Sequence, residues 1–433
     1  MNFTPRPDDS FADFSEIYFR RCRERVPQIE ANAAKWTFED LIPGLSDFDT
    51  RLIVRDGMSA ADWNRMSTEV GRTHLELARE RREWARTLEH LPGINLQWSE
   101  LTAPEQYSPE FGKWTFYRGD ETKLGEARAA IAAHRWSHET DGTFHWKTFT
   151  AYHGPYDRAI DPAINLGPYE NKYPLHSRLM HYFAPPLHAA VCLLENKTVP
   201  GKLASFRRAR ELLPDPALID LVLQLVENHY ESPEFLTEPG MTALDRRLEA
   251  YLQTTAEQLR AGTDRLACSA RPTPAELREA VRKIDGGPPL IQLFENTKFA
   301  RLMKGRLWFY GQNVLWFESH WLIQNELNRM RRNFFEIPFR LFARHILERD
   351  LTPEQALDAL AGDLLDREQV AACRRFAILS RNDCPETELK PRALEIAAGF
   401  DPFLEALETL MQTAKGALRR TEGTGSATIA SSS

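Results

Sequence analysis

Two aspartates stand one residue apart in "PGLSDFDTRLIV", residues 43–54, at the mouth of an apolar run with strand character. Side chains at i and i+2 of a strand project from one face, so Asp47 and Asp49 point the same way, about 6–7 Å apart at the backbone. Like charges so close repel unless something positive lies between them. Hard cations take oxygen ligands, and a pair of Mg²⁺ ions about 3.5–4 Å apart uses this kind of couplet, one carboxylate bridging both. Metals held this way grip a nucleoside triphosphate and help to activate an attacking hydroxyl.

The elements that must position the pair follow from periodicity and punctuation. Residues 10–34 read as a helix, with Phe11, Phe14, Ile17, Tyr18 and Cys22 on one side. Pro43-Gly44 breaks any helix before the run Leu52 to Val54, which reads as a strand. Ser59 is placed to cap a long helix from Ala60 to Leu88. After Pro92-Gly93, "INLQWSEL" alternates and reads as a second strand. This order predicts an α/β or α+β unit, taken as α+β over residues 1–150. From about Pro174 helical spacing dominates, giving an aromatic loop and helical bundle over 151–265 and a C-terminal helical block over 266–418. The tail 419–433 is small and polar, a composition that predicts disorder.

"GLSDFDTRLIV" resembles the SD-x-D strand motif of the DNA polymerase β-like nucleotidyltransferase superfamily, in particular its aminoglycoside nucleotidyltransferase-like branch. The resemblance covers about residues 10–265 and implies a mixed-sheet catalytic domain followed by helices. It makes Asp47 and Asp49 ligands for Mg²⁺ or Mn²⁺, with Ser46 the small polar residue before them. A third acid on a following strand would be ligand or base; Glu100 in "LQWSEL" is the candidate, ahead of Asp56 in a turn and Glu89 near a helix end. The family's Gly-Ser pair before the first aspartate is replaced here by "AKWTF". Thr37 keeps a hydroxyl, but Trp36 takes the glycine position, where its bulk opposes close backbone approach to phosphate. "VPGKLASFRRARELLPDPALIDLVL" resembles the family's following helical region, with Lys202 facing phosphate and Arg207 or Arg208 behind it. The activity implied is transfer of an NMP group from an NTP to a hydroxyl of a small molecule. The alternative is a protein that keeps the scaffold for binding or assembly without transfer.

Other segments carry weaker signals. Residues 152–186 are dense in Tyr, His, Asn and Pro, and Tyr169, Asn171, Lys172, Tyr173, His176 and Arg178 suit the lining of an acceptor or base pocket. "HRWSHETDGTFH" places His134, His138 and His145 close in sequence without a complete ligand pattern, so no transition-metal site is expected there. Trp308, Trp316, Phe317 and Trp321 predict a buried aromatic helix or a contact between copies in a homo-oligomer. Arg329, Arg331 and Arg332 read as a solvated helix end.

Composition narrows the class. Across 433 residues a formal net charge of −7 argues against general nucleic-acid binding, which needs a basic surface. No run approaches the ~20 apolar residues of a membrane span, and the N-terminus lacks signal-peptide order, so a cytoplasmic protein is expected. The five cysteines are scattered and predict neither a disulfide framework nor a CxxC metal site.

Overall fold

The computed structural model describes residues 11–42, 46–81, 84, 87–88, 90–103, 106–153, 174–228, 230–284, 290–312, 320–381 and 383–425. It is α+β: a four-stranded mixed sheet near the N-terminus, with helices over most of the remainder. Helix α1 (Phe11–Arg25) buries Phe11, Phe14, Tyr18 and Cys22 on one face. It ends earlier than its periodicity suggests, and "IEANAA" forms strand β1 (Ile29–Ala34). Alanine favours helix intrinsically, but β1 is enclosed on both faces, where small side chains let neighbouring layers approach.

Strand β2 (Thr50–Val54) is wholly buried and pairs antiparallel with β1. Helix α2 (Ala60–Glu80) starts at Ser59, whose Oγ accepts the Asp62 N–H at 3.1 Å, and stops short of Leu88. The expected second strand shrinks to β3 (Leu96–Gln97), parallel to β2, and Trp98–Thr102 turns into a short helix, α3. The reason is local: Glu100 folds back to accept the Gln97 N–H at 3.0 Å, a cap that favours helix over strand. Strand β4 (Thr115–Arg118), unforeseen in the sequence, closes the order β3-β2-β1-β4.

The helices that matter below are α4 (Glu121–Ala133), α5 (Thr143–Tyr152), α6 (Ala184–Glu195), α7 (Lys202–Leu212), α8 (Pro216–Glu227), α9 (Glu238–Ala261), α10 (Pro274–Arg282), α11 (Ile291–Ala300), α12 (Met303–Gly311) and α13 (His320–Met330). A wider-wound stretch, Ser177–Phe183, leads into α6. The C-terminal Phe400–Gly425 helix closes the fold. One core joins α1, one sheet face and α2 to the helices from Leu290 onward; a second lies among α5 to α10, and a third covers the other sheet face. The aromatic stretch joins the first core through Phe309, Tyr310, Phe334 and Phe335, whereas Trp316 and Phe317 fall outside the described residues. Among the described residues no helix is long and apolar enough to cross a membrane.

Buried ionisable groups set the acid response. Burial pushes His74 down to about 3 against its usual 6.5, with the Leu88 carbonyl opposing. Burial would raise Glu326, but Arg329 and Arg306 outweigh it and hold the carboxyl at about 2 against 4.5. The unfolded chain therefore binds more protons than the folded one in both windows, so stability falls as pH drops below 6.5 and again below 4.5. Urea unfolding midpoints measured from neutral pH to about pH 3 should decline through both stages; a midpoint constant down to pH 5 would refute the first.

Candidate functional site

Asp47 and Asp49 lie just before β2 rather than within it, and the Thr50 N–H donates to the Phe48 carbonyl at 2.7 Å, closing a tight turn around Asp49. The ladder nonetheless continues there, since Lys35 N–H donates to the Asp49 carbonyl at 3.2 Å. Between the acids, Phe48 turns inward onto Phe14 and Tyr117 and is 2% exposed, while both aspartates stay half-buried. Both aspartates border the same cavities, on the opposite side of the segment from the buried Phe48 ring. Arg51 continues that side. Its guanidinium donates to the carbonyls of Asp49 and Thr50, each at 3.1 Å, and to Glu110 Oε1 at 2.9 Å. Gly93 makes room for it: a Cβ there would stand 2.9 Å from Arg51 Nη1.

Both acids line a cleft of about 510 Å³ between the sheet, α5, the helical run ending in α6, and α11. Three lysines surround the Trp36 ring within it. The ammonium groups of Lys35, Lys113 and Lys202 lie 5.6, 5.8 and 5.1 Å from the ring centroid. Burial pushes Lys113 down to about 8, with Lys35 adding repulsion. Burial also lowers Lys202, with Asp40 and Asp47 opposing. Lys35 goes the other way: burial would lower it, but Glu110 and Asp49 outweigh burial and keep it charged.

Lys202 opens α7 and donates to the Met180 carbonyl at 3.2 Å. The start of that helix is fixed by buried Asp40, which accepts the Leu203 N–H at 2.8 Å. Asp40 also takes the Thr37 hydroxyl at 3.0 Å. Thr37 thus serves a cap and is not among the cleft-lining residues, so its expected phosphate role loses its support. Ser46 does line the cleft, its Oγ accepting the Ile42 N–H at 3.0 Å. Arg207 points to Glu39 at 3.5 Å on an exposed surface away from the cleft lining, and Arg208 pairs with Glu195 and Glu211.

Glu100 is the clearest correction. It is 1% exposed, paired with Arg301 at 2.5 Å and with Lys415 at 2.7 Å, and lines neither cavity next to the aspartates. Its charge is spent on the core. Besides Asp40, which caps α7, the acids that share the cleft with Asp47 and Asp49 are Glu110 and Glu295. Burial would raise Glu110, but Arg51 and Lys35 outweigh it and hold it below the usual range. Glu295, held by the Ser108 hydroxyl, is pushed up by burial to about 7, with Glu110 adding to the rise. Neither was singled out in the sequence: both lie outside any motif, and only packing brings them here.

Of the aromatic loop, Tyr169, Asn171, Lys172 and Tyr173 lie outside the described residues. His176 lines the cleft, whereas Arg178 is bound to Asp245 at 2.9 Å. His134 does not join His145; its Nε2 meets Asp141 at 2.8 Å and its ring stacks on Tyr107. His145 instead meets His188 and Cys192, the one group of three potential ligands found among the described residues. Compared with known families, curated proteins and solved structures, the chain matches none.

The tight seat of Gly201 yields a structural test. A Cβ there would fall 2.9 Å from Asp40 Oδ2, disturbing the carboxylate that caps α7. Gly201→Ala should cost about 1 kcal/mol or more and lower the thermal midpoint. Gly125→Ala, inside α4 with nothing within 4 Å, should be neutral or stabilising by up to ~1 kcal/mol.

Proposed function

We propose that the protein is a metal-dependent nucleotidyltransferase that moves an NMP group from an NTP to a hydroxyl of a small molecule. The observation that carries this reading is the position of Asp47 and Asp49 where two cavities adjoin. The 510 Å³ cleft and a second of about 310 Å³ share Lys35, Asp47, Asp49, Glu110, Tyr152 and His181. A transfer between two substrates needs their reacting atoms about 3–3.5 Å apart, which two chambers meeting at one acidic edge provide.

The donor belongs in the larger chamber, where Lys113 and Lys202 supply the positive charge a triphosphate needs. The acceptor belongs in the smaller one, whose wall carries His90, Asn325, Glu326 and Arg329, groups that recognise hydroxyls by hydrogen bonding. Asp47 and Asp49 fit Mg²⁺ or Mn²⁺: they offer oxygen donors only, and such ions ordinarily take one or two carboxylates and complete their shell with water and phosphate oxygens. When bound, that ion would neutralise phosphate charge and polarise the phosphoryl group. The acceptor oxygen reaches across the shared edge into the larger chamber, where Glu295 lies, and attacks the α-phosphorus; the bond to pyrophosphate breaks, and the hydroxyl proton passes to Glu295, whose pKa near 7 suits a base at neutral pH.

A scaffold that binds without transfer is the second reading, and Trp36 favours it. The ring fills the place of the family's glycine, and its carbonyl is tied to the Tyr117 hydroxyl at 2.8 Å, which restrains the backbone there. Calorimetry with each NTP separates the two. The enzyme requires Mg²⁺-dependent binding and pyrophosphate release, both lost in Asp47→Ala and Asp49→Ala while the half-exposed sites leave folding intact. Binding indifferent to Mg²⁺ and to these variants would sink the transferase. Once an acceptor is in hand, turnover should rise with pH through about 7; Glu295→Gln should remove that limb and slow the reaction roughly 10²–10⁴-fold.

A further inference from the structure

We infer that His145, His188 and Cys192 form a site for a zinc-like divalent cation behind the wall of the cleft, separate from the aspartate pair and independent of the transferase reading. The three candidate ligand atoms lie within 4.8 Å of one another, and all three residues are 0% exposed. A tetrahedral zinc with Zn–N of about 2.0–2.1 Å and Zn–S of about 2.3 Å spaces its ligands roughly 3.3–3.8 Å apart, so the triangle needs to contract only modestly.

The local fold prepares each ligand. His188 and Cys192 stand four residues apart on α6 and so share a face, and α5 packs against α6 to bring His145 opposite them. His188 Nε2 donates to the Val199 carbonyl at 2.7 Å, which leaves Nδ1 unprotonated and facing Cys192 Sγ at 3.8 Å. A backbone acceptor that fixes the tautomer in this way is the usual support for a metal-bound imidazole. The Val199 N–H in turn donates to Cys192 Sγ at 3.3 Å, which orients the sulfur toward the two imidazoles.

His145 supplies the independent observation. Neither of its ring nitrogens has a hydrogen-bond partner, although the residue is fully buried and its ring is held against Trp136 at 5.5 Å. A buried imidazole without partners is costly, and coordination removes that cost. Two nitrogens and one sulfur select a borderline or soft ion over Mg²⁺ and leave a fourth position for water or another ligand. On binding, the Cys192 S–H bond breaks, the sulfur pair bonds to the metal, and the proton leaves to buffer.

The test is titration of the chelator-treated full-length protein with Co²⁺. A sulfur-to-cobalt charge-transfer band should saturate at one equivalent, disappear on adding Zn²⁺, and accompany a raised thermal midpoint. The band should be lost in Cys192→Ser and weakened at least tenfold in His145→Ala, yet persist in Asp47→Ala, because an all-oxygen site gives no such band. If the first two variants do not fold, X-ray absorption of the wild-type cobalt complex replaces them: one sulfur and two imidazoles support the site, and an all-oxygen or sulfur-free shell overturns it. No sulfur band at excess Co²⁺, or a band unchanged in both variants, also overturns it.

Discussion

A single buried guanidinium ties the two ends of this chain together. Arg301, 0% exposed, pairs with Glu100 and with Glu408 at 2.5 and 2.7 Å, donates to the Asn95 carbonyl at 2.9 Å, and lies over the Trp63 ring. Lys415 completes the group from the C-terminal helix. Removing one partner from such a set would strand charge in a dry interior, a loss of about 3–5 kcal/mol. The edge of the sheet is therefore not separable from the helices beyond Leu290. That union builds the site, because Glu295 on α11 and Arg306, Asn325 and Glu326 on α12 and α13 wall the cavities beside Asp47 and Asp49.

The cleft itself is a problem in charge management. Acids at positions 47, 49, 110 and 295 share one concave surface with lysines at 35, 113 and 202. Each sign makes the other tolerable, and the uneven burial separates their proton affinities: Glu110 stays ionised against Arg51 while Glu295 rises toward neutrality. Groups driven apart in this way are typical of places where protons move.

Much of the local structure was legible. Phe11, Phe14, Tyr18 and Cys22 announce the buried face of α1, Ser59 begins the helix it caps, and Gly201-Lys202 marks the start of α7. Strands β1 and β4 were not legible. An alanine-rich strand enclosed on both faces has no alternation to reveal it, and a four-residue strand half-buried throughout has little contrast. Glu100 misled for a related reason: its alternation with neighbours suggested a strand, while its carboxylate was claimed first by a cap and by Arg301.

Residue order alone determined that Asp47 and Asp49 stand at the entrance to a strand, because the apolar run after them is local, and that Lys202 heads a helix, because glycine and the following periodicity are local. Tertiary packing alone decided which groups join them. Lys35, the Glu110–Lys113 turn and Glu295 come from three separate segments, and His145 meets His188 and Cys192 across two helices. Such meetings follow from which apolar faces bury one another and how deeply, quantities summed over the whole chain, so no short spacing records them.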